Sequence, residues 1–122
     1  LIRDWPDAPR AVLEAGEPGS FFYVEMYSSI PYELEPHPHV TLLGDAAHAM
    51  SPSLGRGANV ALRDAANLGR QIIRVAEDDL PLADALREYE HDMIRYGFEV
   101  VRGAAKKGAM VIGQNPLPEP VI

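Results

Sequence analysis

A short apolar run, Val40-Thr41-Leu42-Leu43, places the strongest constraint on the fold of this chain. It lies between a loop rich in proline and histidine, residues 36–39, and Gly44. A continuous β-prone run without polar alternation is typical of a strand that is buried on both faces. Such a strand needs a neighbour on each side, and the other strand-like segment is the aromatic and β-branched stretch Phe21–Ile30. We therefore expect an α/β fold whose sheet is incomplete in this chain.

Three helices are predicted around these strands. A proline close to the first helical position in Asp4-Trp5-Pro6-Asp7 predicts a short helix to about Leu13. A second helix begins near Ala58, and a third follows Pro81, weakened towards its end by three glycines. The predicted apolar stripe of the second helix is Ala58, Ala61, Ala65, Leu68, Ile72 and Ala76, with Arg63, Asn67, Arg70 and Arg74 opposite. The stripe of the third is Leu82, Leu86, Tyr89, Met93, Tyr96 and Val100.

Composition excludes several classes of protein. The 122 residues are 47% hydrophobic and 24% charged, which is average for a globular domain. The formal charge of -7 disfavours nucleic acid and anionic membranes as partners, because phosphate contacts need a basic surface. Cysteine is absent, no apolar run is long enough to span a bilayer, and no leader opens the chain. We therefore expect a soluble, cytoplasmic protein.

The segment from Gly44 to Asn59 carries the chemistry. Asp45 follows the predicted strand, where side chains of an open sheet meet ligands. Gly55 and Gly57 precede a helix whose first N–H groups are free to face an electron-rich group. A carboxylate for hydroxyls and a helix N-terminus for an oxygen-bearing ring suit a polyhydroxyl chain that ends in such a ring. The phosphate-binding patterns G-x-x-x-x-G-K-[ST] and G-x-G-x-x-G are absent from the sequence.

The order of these residues resembles a known family. Residues 44–68 read G-D-A-A-H-x-x-x-P-x-x-G-x-G-x-N-x-A-x-x-D-A-x-x-L. This pattern resembles the second FAD-binding motif of the para-hydroxybenzoate hydroxylase family, the class A flavoprotein aromatic hydroxylases. The resemblance implies the C-terminal part of a Rossmann-like FAD-binding domain of the GR2-type flavoproteins.

The resemblance also assigns roles to residues. Gly44 and Asp45 would bind the ribityl chain of FAD, the latter through its hydroxyls. Pro52 would line the flavin and substrate cavity, and is the candidate for a catalytic position. Gly55 would belong to the same cofactor loop, and the N–H groups of Gly57, Ala58 and Asn59 would face the N1–C2=O edge of the isoalloxazine, where reduction places negative charge.

Other polar residues allow more than one interpretation. His48 could be a general base, but a hydrogen-bonded histidine that braces the loop is favoured. Asp64 is either a buried carboxylate that ties its helix to the missing domain or a flank residue. Arg56 is expected to point to solvent rather than to the flavin.

Neither the histidines nor the tyrosines of the N-terminal half require a functional explanation. The residues His37, His39, His48 and Asp45 do not have the spacing of a standard metal site, so no metal is expected. Tyr23, Tyr27 and Tyr32 could contact an aromatic substrate, although strand packing explains them equally.

These observations predict a division of the chain and a function. Residues 1–39 would end the sheet and substrate region, 40–76 form the strand-loop-helix FAD motif, 77–112 the C-terminal helix and 113–122 a tail. The predicted activity is an FAD-dependent monooxygenase that hydroxylates an aromatic or polyketide-like molecule with NADPH or NADH and O2. A dehydrogenase or reductase of the same fold, and a non-catalytic fragment, are the alternatives. The adenine end of FAD would need an N-terminal segment or partner chain with the Gly-rich fingerprint, so these residues alone should not hold FAD tightly.

Overall fold

The computed structural model describes residues 2–118, and its helices follow the sequence signals closely. Helix α1 spans Asp7–Glu14, α2 is a single turn at Asp45–His48, α3 spans Gly57–Glu77 and α4 spans Leu82–Ile112. Short 3-10 turns lie at Pro18–Ser20 and Pro52–Leu54. Pro6 and Pro81 stand immediately before α1 and α4, where the missing N–H of proline removes no helical hydrogen bond.

Helices α3 and α4 form an antiparallel pair, and this pair contains the core. Arg74 of α3 bonds Glu88 of α4, whereas Asp64 bonds Tyr96, so the partners move in opposite directions along the two helices. The stripe predicted for α4 is confirmed at its centre, because Leu86, Tyr89, Met93 and Tyr96 are all buried. The core cluster consists of Ala47, Val60, Tyr89, Met93 and Tyr96.

The face that α3 turns towards α4 is offset from the predicted stripe. The fully buried residues of α3 are Val60 and Asp64. Ala61 and Leu68 of the predicted stripe are half-buried, but Ile72 is 45% exposed. The prediction is wrong here because it aligned the alanines with the core, whereas α4 packs on the side that carries a carboxylate.

The two predicted strands are corrected to extended chain. No strand is present within residues 2–118, and the α/β character expected from the sequence is not confirmed by this structure. Val40, Leu42 and Leu43, expected to be buried on both faces, are exposed. A strand exists only through hydrogen bonds to its neighbours, and no second strand lies beside either segment in the described part of the chain. In the first extended segment, Ser29 N–H donates to the C=O of Ala49, just after α2, at 2.8 Å; in the second, Leu42 C=O accepts from the Tyr89 hydroxyl of α4 at 2.9 Å.

None of the helices described in residues 2–118 is both long and apolar enough to cross a membrane.

Candidate functional site

The turn at Gly44 begins the candidate site and has a backbone conformation that requires glycine. Its φ is 59° and its ψ is -142°, a region that residues with a Cβ avoid. A Cβ at this position would also lie 3.1 Å from the Cβ of Ala61 on α3. The Gly44 C=O accepts the N–H groups of Ala47 and His48, both at 2.9 Å, which forms the single turn of α2.

Asp45 follows this turn and lies beside the N-terminus of α3. Its side chain is exposed, and its Oδ1 is 4.0 Å from the position that a Cβ on Gly57 would occupy. The same position is 3.8 Å from Cγ of Met50, an ordinary van der Waals separation, so the loop that carries Asp45 and Met50 lies directly against the start of α3. The structure thus brings together the carboxylate and the helix terminus that the sequence predicted to act on one ligand.

The N-terminus of α3 presents free hydrogen-bond donors. Arg56, the residue before the helix, makes no side-chain capping hydrogen bond. Within residues 2–118, the N–H groups of Gly57, Ala58 and Asn59 have no hydrogen-bond acceptor, and the first backbone bond at this end joins Val60 N–H to Arg56 C=O at 3.0 Å. A helix of 21 residues concentrates partial positive charge at such an end. The terminus can therefore donate hydrogen bonds to an electron-rich edge of a ligand.

The loop between Asp45 and α3 is attached to α4. The 3-10 turn Pro52–Leu54 ends at Gly55, whose φ is 61°, and Pro52 is exposed. Leu54 packs where Gly103 lacks a side chain, since a Cβ there would lie 3.3 Å from Leu54 Cδ1. Ser51 is buried, and its Oγ bonds Ser53 Oγ at 2.9 Å. A Cβ at Gly108 would likewise lie 3.0 Å from Ser53 Oγ. The loop can therefore pack closely against α4 because this helix has glycine at positions 103 and 108, although both glycines weaken it as a helix.

Below the turn lies a buried polar network that the sequence left undecided. Asp64 is 0% exposed and its Oδ2 accepts from Gly44 N–H at 2.8 Å and from His48 Nε2 at 2.7 Å. Its Oδ1 accepts from the Tyr96 hydroxyl on α4. Of the two interpretations of Asp64, the buried carboxylate is correct, but within this structure its partners belong to the chain itself.

The side chain of His48 is buried and hydrogen-bonded to Asp64, and it does not face solvent. The side chain is 0% exposed and its ring packs against Gly97, where a Cβ would lie 2.5 Å from Cδ2. Its Nδ1 has no hydrogen-bond partner within the described residues. The bracing function favoured from the sequence is confirmed.

Tyr96 also contacts a cation on the surface of α3. The guanidinium of Arg63 lies 3.7 Å from the centre of the Tyr96 ring, so Arg63 is not simply a solvated residue. Burial, followed by the hydrogen bond to Asp64, raises the pKa of Tyr96 well above its usual value. Burial also raises the pKa of Tyr89, with a smaller contribution from the charge of Asp64.

The remaining candidates lie outside this arrangement. Arg56 is exposed and forms no ion pair within residues 2–118. Tyr23 and Tyr27 are exposed, and Tyr32 packs edge-on against Phe98 with ring centres 5.6 Å apart. Among the described residues, no group of three or more His, Cys, Asp or Glu side chains is arranged to hold a metal ion.

Comparison with known proteins decides the family. The model of the FAD binding domain family matches residues 36–104, which contain the Gly44 turn, the α3 terminus and the buried network. The chain belongs to the FAD-binding domain family. The resemblance to the class A flavoprotein hydroxylases is thereby confirmed, and the match spans the motif on which it was based.

The relatives of this chain include several monooxygenases. It is 39% identical over 100 residues to a dual O-methyltransferase/FAD-dependent monooxygenase of Phaeosphaeria nodorum, covering 76% of the chain and 11% of the relative. It is 37% identical over 86 residues to the salicylate hydroxylase of Pseudomonas putida, covering 70% and 19%. It is 34% identical over 111 residues to the FAD-dependent urate hydroxylase of Klebsiella oxytoca, covering 91% and 28%. The chain thus spans between 11% and 28% of the length of these relatives. No solved structure matches it significantly.

Proposed function

We propose that this chain forms the ribityl- and isoalloxazine-binding half of the FAD site of a monooxygenase. The observation that carries the proposal is the exposed carboxylate of Asp45 beside the open N-terminus of α3. The family match over residues 36–104 supports the same cofactor, which the names of two of the three relatives also state, and all three names support the reaction class.

Each residue of the site has a defined task in this proposal. The Asp45 carboxylate accepts hydrogen bonds from ribityl hydroxyls, and such charge-assisted bonds are stronger than neutral ones. The glycines at 44, 55 and 57 keep the backbone free of side chains where the cofactor approaches. The N–H groups of Gly57, Ala58 and Asn59 donate to the N1–C2=O edge, and Pro52 lines the cavity beside the ring.

The N-terminus of α3, unlike Asp45, acts on the part of the flavin that reacts. FAD supplies two-electron redox chemistry and reaction with O2, which no side chain of the protein provides. The α3 terminus is fixed before any charge develops, so it stabilises negative charge on the N1–C2=O edge without reorganising. The reaction we propose is hydroxylation of an aromatic or polyketide-like small molecule with NADPH or NADH and O2.

These residues hold one half of the cofactor. The adenine and pyrophosphate end needs a Gly-rich strand-helix fingerprint that the 122 residues do not contain, supplied by another segment of the polypeptide or by a partner chain. The purified chain should therefore be colourless and should not retain FAD, whereas stoichiometric flavin in it would contradict the half-site proposal.

The two halves of FAD provide the test. FMN contains the ribityl chain and isoalloxazine, and AMP contains the adenine end. Titration of the chain with FMN, followed by quenching of flavin fluorescence, should give weak binding in the range of about 1 mM, which is about 4 kcal/mol. AMP should not compete.

A matched pair of substitutions locates the binding. Asp45→Ala should weaken FMN binding about tenfold, since it removes hydrogen bonds to a charged acceptor. Asp78→Ala removes an exposed carboxylate at the opposite end of α3 and should leave FMN binding unchanged. Equal effects of the two substitutions would show that only net charge matters and would refute the site.

The reaction class requires a separate measurement on the polypeptide that joins this chain to the adenine-binding segment. Consumption of O2 that depends on both reduced nicotinamide and an aromatic substrate, with formation of a hydroxylated product, is expected. Substrate oxidation without O2 uptake would instead indicate a dehydrogenase or reductase.

A further inference from the structure

Asp64 has the properties of a residue that acts on the flavin site from beneath it. It is 0% exposed, so its carboxylate does not itself face a ligand. Its donors come from three different parts of the fold: the Gly44 turn, His48 of α2 and Tyr96 of α4. Burying a carboxylate costs free energy unless such donors satisfy it, so the position demands a reason beyond filling space.

The bond to Gly44 replaces one that the backbone does not provide. Within residues 2–118, Gly44 N–H has no backbone acceptor, and Asp64 Oδ2 accepts it at 2.8 Å. The same residue has a φ of 59°, which is one of several conformations open to glycine, so a contact is needed to select it. The carboxylate therefore fixes the residue that immediately precedes Asp45.

The position of Asp64 along α3 joins the two parts of the site. It lies seven residues after Gly57, or about 10 Å along the helix from the free N–H groups. One side chain thus connects the turn that carries Asp45 to the helix whose terminus faces the isoalloxazine. Movement of the turn relative to α3 would separate the ribityl carboxylate from the terminus beside it.

We propose that Asp64 is a positioning residue of the flavin site, which holds the Gly44 turn in register with the N-terminus of α3. The inference rests on the proposed FAD half-site, because its consequence is the placement of Asp45. Tyr96 completes the coordination of the carboxylate at Oδ1, whereas the two bonds to Oδ2, from Gly44 N–H and His48 Nε2, hold the two ends of the turn that contains Asp45.

Tyr96→Phe is the matched control for a merely structural effect. Tyr96 bonds Oδ1, whereas Gly44 and His48 bond Oδ2, so the substitution removes one donor from the carboxylate and leaves the turn attached. It should destabilise the fold without changing the turn. Asp64→Ala removes the acceptor itself, and Asp64→Asn restores an oxygen that can accept from Gly44 while its amide donates to the Tyr96 hydroxyl.

Amide hydrogen exchange of the ligand-free chain, measured by NMR, tests the positioning without any cofactor. In the wild-type chain Gly44 N–H should be protected although it has no backbone acceptor. Protection should fall at least about tenfold in Asp64→Ala, beyond the change in global stability, and should persist in Asp64→Asn and Tyr96→Phe. An unprotected Gly44 in the wild-type chain would overturn the proposal even if Asp64→Ala does not fold.

The initial slope of FMN-induced shifts at residues 44–59 then tests the consequence for the site. The slope should fall about tenfold in Asp64→Ala and remain near wild type in Asp64→Asn and Tyr96→Phe. A similar fall in Asp64→Ala and Tyr96→Phe would reduce Asp64 to a stabilising core residue. Protected Gly44 together with no FMN response in the wild-type chain would refute the FAD half-site itself, and the exchange data would still decide whether Asp64 holds the turn.

Discussion

Gly97→Ala should destabilise the chain through the buried histidine. The added Cβ would lie 2.5 Å from His48 Cδ2, 3.0 Å from Cγ and 3.3 Å from Nε2, and the ring is 0% exposed and cannot retreat to solvent. Overpacking of this kind costs about 1–3 kcal/mol, and displacement of the ring weakens its hydrogen bond to the Asp64 carboxylate, which costs about 2 kcal/mol more. Alanine regains about 1 kcal/mol of helix propensity. We expect a net loss of about 2–4 kcal/mol in the free energy of unfolding.

Gly69→Ala is the control, because both glycines are interior to long helices. Nothing lies within 4 Å of a Cβ at Gly69, so alanine there should stabilise the chain by about 0.5–1 kcal/mol. Urea unfolding followed by far-UV circular dichroism measures both. In a His48→Ala background the Gly97→Ala cost should disappear, since the clash is with the ring. A Gly97→Ala chain as stable as wild type, or a cost that survives removal of the ring, would refute this account of the network.

Three further predictions concern stability. Arg63→Ala should lower the free energy of unfolding by about 0.5–1 kcal/mol, because it removes the cation from the face of the Tyr96 ring, and thermal unfolding should detect it. Gly44→Ala should cost about 2–4 kcal/mol, since it combines backbone strain with a close contact to α3, whereas Gly55→Ala, at a positive φ but in open space, should cost about 1 kcal/mol in the same urea assay. Burial raises the pKa of Tyr89 and Tyr96 above 10.0, so the folded chain keeps protons that the unfolded chain releases. The contribution of these two groups to the free energy of unfolding should be fully present below pH 10.0 and should decline as the pH rises above it, less steeply in Tyr96→Phe. Urea midpoints that do not change at alkaline pH would contradict this.

Signals that act within a few residues gave correct expectations. Prolines and apolar steps predicted α1, α3 and α4 to within a few residues, since helix formation depends on neighbours three and four positions away. The Gly44–Asn59 segment was similarly legible, because its glycines, carboxylate and helix start are close in sequence. The model of the FAD binding domain family matches this segment, while the individual ligand contacts remain predictions.

Features that depend on residues distant in the sequence could not be predicted from it. The predicted strands need partner strands, and their apolar residues are exposed in the structure because the described chain supplies none. The face of α3 was misplaced because apolar periodicity weighs alanine above aspartate, although Asp64 is the residue that α4 covers. A signal for Asp64 existed, as it lies four residues from both Val60 and Leu68, but its donors are up to 32 residues away in sequence.

We propose that this chain binds the flavin half of FAD and not the adenine half. The most direct measurement is an NMR titration of the chain with FMN and, separately, with AMP, with amide shifts assigned along the sequence. We expect FMN to shift the amides of Gly44, Asp45 and Gly57 to Asn59, and AMP to leave them unchanged. Shifts caused by AMP at these amides, or FMN shifts confined to other parts of a folded chain, would contradict this proposal.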